Sequence, residues 1–463
     1  MQFPFLLAVL AALVIAENCP PGPVDGVVWR SELTAVAIVL VVIVAQAITS
    51  VTALQMRRHP EDFDRILSSS GRWRRMHTFL WIGSVALVSL GTGWPQIVRF
   101  NWGLDGTFLL DELLILVPAL LPLMLSWVAF YGIEQAAYSA RLAVGKTVAG
   151  PAPSLKHFFA LHARHYLGVM LVPILLLLAA QDAVALWLPG LSGSGWSIVA
   201  YAAPIGLLVA FFPFLLRRLW KTRPLEHGPL RERLTALSVR ARLPVRDILI
   251  WETRGVIVNA AVAGWVPGYR YVFLTDGLID RLTAEQIEAV FGHELGHIRR
   301  RHLLLRGLIM LAPLSLMFAV ELAWPQSVGL LESITTRLSA ATQLPLAIAV
   351  LALLSSYAYF VFGGYCRLLE TDADIFACRM LETETPDEAC RVFISALERL
   401  GAESGLDRHK STWQHPSIAR RTLALADACC DPQRHARFER RIRHLNWLLA
   451  VCVVSPAVVA MFT

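Results

Sequence analysis

The chain has 463 residues, 56% of them hydrophobic and only 17% charged, where a soluble globular chain carries about 25%. The deficit is uneven: long apolar runs alternate with short Arg-rich loops, which excludes one large soluble core and points to a chain that crosses a membrane repeatedly. The net charge of +7 gathers at the ends of those runs, as in Arg57, Arg58, Arg72, Arg74 and Arg75, or Arg217, Arg218, Lys221 and Arg223. Clusters so placed set topology and meet anionic lipid, so no nucleic-acid partner is expected.

Residues 3–16 are apolar but lack a basic start. They read as a signal peptide ending after Ala16 or as a short first span, so 1–33 is a leader or first span with an outside segment. A five-span region covers 34–216, with runs near 34–54, 77–98, 109–132, 166–188 and 196–216. Segment 217–302 is polar, and 303–365 is a hairpin of two spans near 303–323 and 344–364. Segment 366–444 is polar again, and 445–463 holds a last span near 445–462. Each run can cross roughly 30 Å of hydrocarbon, which gives eight or nine spans in all.

Loop charge sets the orientation. Residues 55–76 and 133–165 are rich in basic residues, the latter with Arg141, Lys146, Lys156 and Arg164. Residues 189–195 have none, and 325–343 have only Arg337. Positive-inside therefore puts 55–76, 133–165, 217–302 and 366–444 on the cytoplasmic face, where the two large polar segments are expected to fold together. Asp111, Glu112, Asp182 and Glu321 lie toward the outer ends of their runs, an interfacial position.

No pair among the seven cysteines has C-x-x-C spacing, so they read mostly as small hydrophobes and any metal site must rest on histidine and carboxylate. Residues 281–302 read RLTAEQIEAVFGHELGHIRRRH. Thr283 with Gln286 forms a capping-box pattern that starts a helix, and H-E-x-x-H follows at His293, Glu294 and His297. Four residues is about 400° of helical rotation and about 6 Å of rise, so both imidazoles leave one face and can converge on one ion. Glu294, about 100° away from His293, is placed to take a proton from the attacking water instead. His302, nine residues past His293, reads as facing away and interfacial.

A catalytic zinc needs three protein ligands and an open position. Residues 366–378, CRLLETDADIFAC, carry Glu370 and Asp374 four apart, hence on one helical face. Glu370 is the expected third ligand. Asp374 is the expected acceptor that orients a ligand histidine. A closed, structural zinc in a non-catalytic scaffold or transporter-like protein is the alternative reading, and it would require a fourth ligand.

At this point the chain resembles the integral-membrane gluzincin proteases, the CAAX prenyl proteases and HtpX, and is closer in layout to the former. The resemblance rests on Asn259-Ala260 with Gly264, on H-E-L-G-H, on Arg367 with Glu370, Ala373 and Asp374, and on His415-Pro416 with Arg421. It departs at Cys366, where the family commonly has Ser. The resemblance implies an all-α membrane bundle with a small α/β, zincin-like catalytic region on the cytoplasmic face. It also implies a substrate strand laid along Asn259, Ala260 and Gly264, an oxyanion partner in His415 and an organising role for Arg421. The expected activity is a zinc metalloendopeptidase with one Zn2+ per chain. Its substrates would be membrane or membrane-associated proteins, possibly lipidated. Only four of the 42 basic residues are lysines, a bias typical of GC-rich bacterial genes, so the expected location is a bacterial inner membrane.

Overall fold

The computed structural model describes the chain apart from residues 1, 146–151, 153, 193–196, 256, 265–266, 328, 330–332, 334–348, 351, 382, 384, 405–406, 431 and 461–463. It divides into two compact units, Met1–Trp220 and Lys221–Thr463.

The first unit is a bundle of helices over Gln2–Glu17, Val27–Arg58, Phe63–Ala86, Leu110–Ala143, Leu155–Ala163, Val172–Trp187 and Ser197–Leu219, with shorter turns between them. Phe5, Val9, Trp81, Leu116 and Leu171 fill one core, and Met56, Phe63, Phe130 and Ile133 another. The segment at 3–16 is thus a packed helix. Pro118, inside Leu110–Ala143, lacks the N–H that would bond the Leu114 carbonyl. Trp94 Nε1 donates to that carbonyl instead, at 3.0 Å, as a low-dielectric environment requires.

Five helices among the described residues are long and apolar enough to cross a membrane: Val27–Arg58, Leu110–Ala143, Leu155–Trp187, Ala202–Leu219 and His302–Ala323. Pro60–Gly91 with Trp94–Asn101 makes a sixth if its 54° bend is counted within one span. The bend falls at Gly93, whose φ of 67° is a left-handed conformation that ends a helix. Among the described residues the expected eight or nine spans are therefore confirmed only in part. Lys146, Arg337 and residues 344–348 of the expected 344–364 span lie outside the described residues. The expected 445–462 span is the end of a 29-residue helix that begins with an Arg-rich stretch. Asp111 and Glu112 are buried within the protein, and Asp111 accepts a 2.9 Å hydrogen bond from Arg99 Nε.

The second unit opens with β1 (Thr222–Pro224), α1 (Pro229–Arg240), β2 (Asp247–Trp251), β3 (Ala260–Ala263) and β4 (Tyr271–Thr275). The sheet order is β1-β2-β4-β3, with β2 and β4 parallel and the outer strands antiparallel to them. The central strands read DILIW and YVFLT, and β4 is buried throughout, the pattern of strands covered on both faces. Next come α2 (Asp276–Arg281), α3 (Ala284–Arg299), α4 (His302–Ala323), α5 (Gly363–Met380), α6 (Pro386–Glu403), α7 (Ile418–Cys430) and α8 (Pro432–Ala460). Leu234, Leu237, Ile250, Leu274, Phe291, Leu295, Ala377 and Phe393 join sheet and helices in one core. Cys366 and Cys378 are free thiols, as expected of small core hydrophobes, whereas Cys390 is disulfide-bonded.

Candidate metal centre

The helix that carries H-E-x-x-H starts as its sequence predicts. Thr283 accepts from Gln286 N, and the Gln286 side chain accepts from Thr283 N, a complete capping box. Its partner is α5, and glycine sets their approach. A Cβ on Gly296 would meet the Ala373 backbone at 3.2 Å, and one on Gly292 would touch Ala377 at 3.5 Å. The glycine between Leu295 and His297 therefore lets α5 lie close enough for a short carboxylate to reach the histidines.

Three side chains converge there. His293 Nε2 lies 3.1 Å from His297 Nε2 and 3.6 Å from Glu370 Oε2, and His297 Nε2 lies 3.4 Å from Glu370 Oε1. Ligand atoms around a tetrahedral zinc, each about 2.0–2.1 Å from it, sit about 3.3 Å apart. The spacing and the donor set fit such an ion, and these are residues that could hold a metal. Glu370 and His293 are buried, and His297 is partly so.

The surroundings hold each group in place. Asp374 Oδ1 lies 2.8 Å from His293 Nδ1, and Arg421 grips the same carboxylate with both arms, Nε to Oδ2 at 2.8 Å and Nη2 to Oδ1 at 2.5 Å. Such a fork-to-carboxylate pair fixes orientation as well as charge. Burial works against protonation of His293, but its contacts with Asp374 and Glu370 outweigh it and lift its pKa to about 9. Burial and the nearby His293 charge push His297 well below its ordinary value. Burial would raise Glu370, but its contacts with His293 and His415 hold it far below the usual carboxylate range. Glu294 goes the other way: burial pushes its carboxyl up. It makes no hydrogen bond or ion pair with any described residue.

His415, half exposed, places Nδ1 2.9 Å from Glu370 Oε2. Its loop is folded back on itself, with His415 N donating to Thr412 Oγ1 and Thr412 N to the His415 carbonyl, both at 2.9 Å. Arg367 Nη1 donates to the Trp413 carbonyl at 2.7 Å. Asn259, Ala260 and Gly264 frame β3, an edge strand against which α3 packs. Gly264 has φ of 115°, and a Cβ there would collide with the Tyr269 carbonyl, so the strand end requires glycine.

Two residues escaped the sequence reading. His302 does not face away: its Nδ1 lies 2.8 Å from His297 Nδ1. Counting 900° of rotation assumed an unbroken helix, whereas Arg301, with φ of 56°, breaks it between α3 and α4. Arg306, in the apolar run after the motif, donates to Glu370 Oε1 at 2.8 Å. Its only signal was a lone cation among leucines, which positive-inside reasoning assigns to the membrane surface.

Residues 224–428 match the family model described as Peptidase family M48. A "Protease HtpX homolog" of Moorella thermoacetica is 35% identical over 149 residues, 30% of this chain and 46% of that protein. A "Probable CAAX prenyl protease 1" of Schizosaccharomyces pombe is 27% identical over 197 residues, 40% of each chain. The chain thus spans less than half the length of these curated relatives. Among solved structures, that of S. mikatae Ste24p is similar in fold, with a TM-score of 0.50 and 16% identity, over 88% of this chain and 100% of that one. The matched region contains every residue of the converging site, and residues 224–428 carry a peptidase family M48 domain, similar to the HtpX homologues and CAAX prenyl proteases.

Proposed function

We propose that this chain is a zinc-dependent endopeptidase that cleaves membrane or membrane-associated proteins, lipidated ones included, at a site on the cytoplasmic face. The observation that carries the reading is the convergence of His293 Nε2, His297 Nε2 and Glu370 to within 3.6 Å of one another, with Glu294 in the same helical turn as His293. His293, His297 and Glu370 would hold the zinc. When bound, zinc supplies Lewis acidity, which makes water a competent nucleophile near neutral pH.

The chain's own groups do the rest. The extended substrate pairs with the free edge of β3, which fixes the scissile carbonyl in front of the ligands. Glu294 takes the proton from the attacking water and hands it to the departing amine, a role suited to a carboxylate that burial has made more basic. His415 donates to the carbonyl oxygen as negative charge develops on it. Asp374 and Arg421 hold His293 in its ligating orientation.

The structural-zinc alternative calls for a fourth protein ligand. Among the described residues the metal-capable group is His293, His297 and Glu370 alone, which favours the catalytic reading. One observation favours a different compartment for the second polar segment: Cys390 is disulfide-bonded, and such bonds are rare in a reducing cytosol. Side-specific thiol alkylation of spheroplasts, with and without reductant, tests the orientation. Metal analysis of purified protein paired with cleavage of a farnesylated peptide and of a destabilised membrane protein tests the function. One zinc per chain with cleavage of either substrate supports it, and stoichiometric zinc without cleavage of both supports the alternative.

A further inference from the structure

His293 and His297 both present Nε2 to the centre, yet their opposite nitrogens are supported differently. His293 Nδ1 faces a carboxylate directly, Asp374 Oδ1 at 2.8 Å. His297 Nδ1 meets another imidazole, His302 Nδ1 at 2.8 Å, and His302 Nε2 in turn meets Asp372 Oδ2 at 3.1 Å. His302 and Asp372 are both at least 97% buried. Arg300 Nε lies 3.7 Å from the same Asp372 oxygen.

The direction of this chain of hydrogen bonds is forced. An ionised carboxylate only accepts, so His302 Nε2 must carry the proton that lies between it and Asp372. A neutral His302 then has a lone pair at Nδ1, so His297 must donate from Nδ1. That leaves the lone pair of His297 on Nε2, the nitrogen that faces His293 and Glu370. Reversal at any link would put a proton on His297 Nε2 and block it as a ligand.

We propose that His302 and Asp372 form a two-residue relay that fixes the tautomer of His297 and so tunes the zinc affinity of the centre. His302 is a positioning residue, and its place is made by the left-handed Arg301, which turns α4 back toward α3. The proposal rests on the zinc reading above and extends it to residues outside the ligand set. The two neighbouring acids serve different imidazoles, Asp374 acting on His293 directly and Asp372 acting on His297 through His302.

The test measures zinc affinity by chelator competition on full-length protein in detergent, with metal-free thermal melts as a folding control. His302→Leu removes both hydrogen bonds at similar bulk and should weaken zinc binding about 10- to 100-fold. His302→Gln keeps an acceptor for His297 and a donor for Asp372, and should recover most of that loss. Asp372→Leu removes the acceptor for His302 Nε2 at similar bulk, and should weaken binding as well. Wild-type affinity in a folded His302→Leu variant, or equal losses in the Leu and Gln variants, would overturn the relay while leaving the metal centre standing. Absence of zinc from the wild-type protein would sink the functional reading and the relay together.

Discussion

Two regions of this chain, the helix Val27–Arg58 and the sheet with α1, use hydrophobic side chains in opposite ways. In Val27–Arg58 of the first unit, Val36, Val39, Leu40 and Ile43 all face outward on a helix whose hydropathy suits a bilayer. In the second unit, α1 and the sheet bury their apolar residues in one shared core, and an exposed residue such as Val239 stands on a helix with two Arg and a Glu in its first turns. An outward-facing valine therefore suits lipid on Val27–Arg58 and water on α1. The buried polar groups follow the same division. Asp111 with Arg99 in the first unit is a local pair, whereas His293, His297 and Glu370 in the second converge on one point.

The largest expected effect strikes that point. Glu294→Gln should leave zinc stoichiometry unchanged and lower proteolysis by about 10²- to 10⁴-fold, the usual contribution of a general base. Retained cleavage would remove Glu294 from the mechanism. Asp374→Ala should cost about 3–5 kcal/mol of stability, because it leaves the largely buried Arg421 guanidinium without the carboxylate it grips. Chemical denaturation of the metal-free protein measures this directly. A loss under about 1 kcal/mol would mean that Arg421 finds water or another acceptor.

The contrast between units can be tested with one substitution made twice. Val39→Asp, at the middle of an apolar helix, should cost about 2.5–3.5 kcal/mol of membrane insertion. Val239→Asp, more exposed still, should change stability by no more than about 0.5 kcal/mol. Equal tolerance of both in an insertion assay would mean that Val27–Arg58 does not face lipid. The smallest effect is local: Thr283→Ala should cost about 1 kcal/mol through loss of the cap on α3. A thermal melt should register it as a modest shift with the zinc content unchanged.

Much of the centre was legible because it is written in helical periods. His293 and His297 share a face by spacing, as do Glu370 and Asp374, and the capping box fixed where α3 begins. What lies between such stretches was not legible. His302 was lost because rotation cannot be counted across a left-handed Arg301, and nothing in the run RRRH marks which arginine breaks the helix. The disulfide at Cys390 was missed because spacing says nothing about which distant thiols meet. The number of spans is supported only in part: among the described residues five helices, or six with the bent pair at Gly93, are long and apolar enough to cross a membrane.

Helix α5 contributes more than one ligand. Arg367 holds the Trp413 carbonyl, two residues before His415, and Asp374 holds Arg421, six residues after it. Glu370 lies between those two anchors on the same rod. When α5 shifts or rocks, it drags both shoulders of the His415 loop along, so the spacing between carboxylate and imidazole is insulated from such breathing.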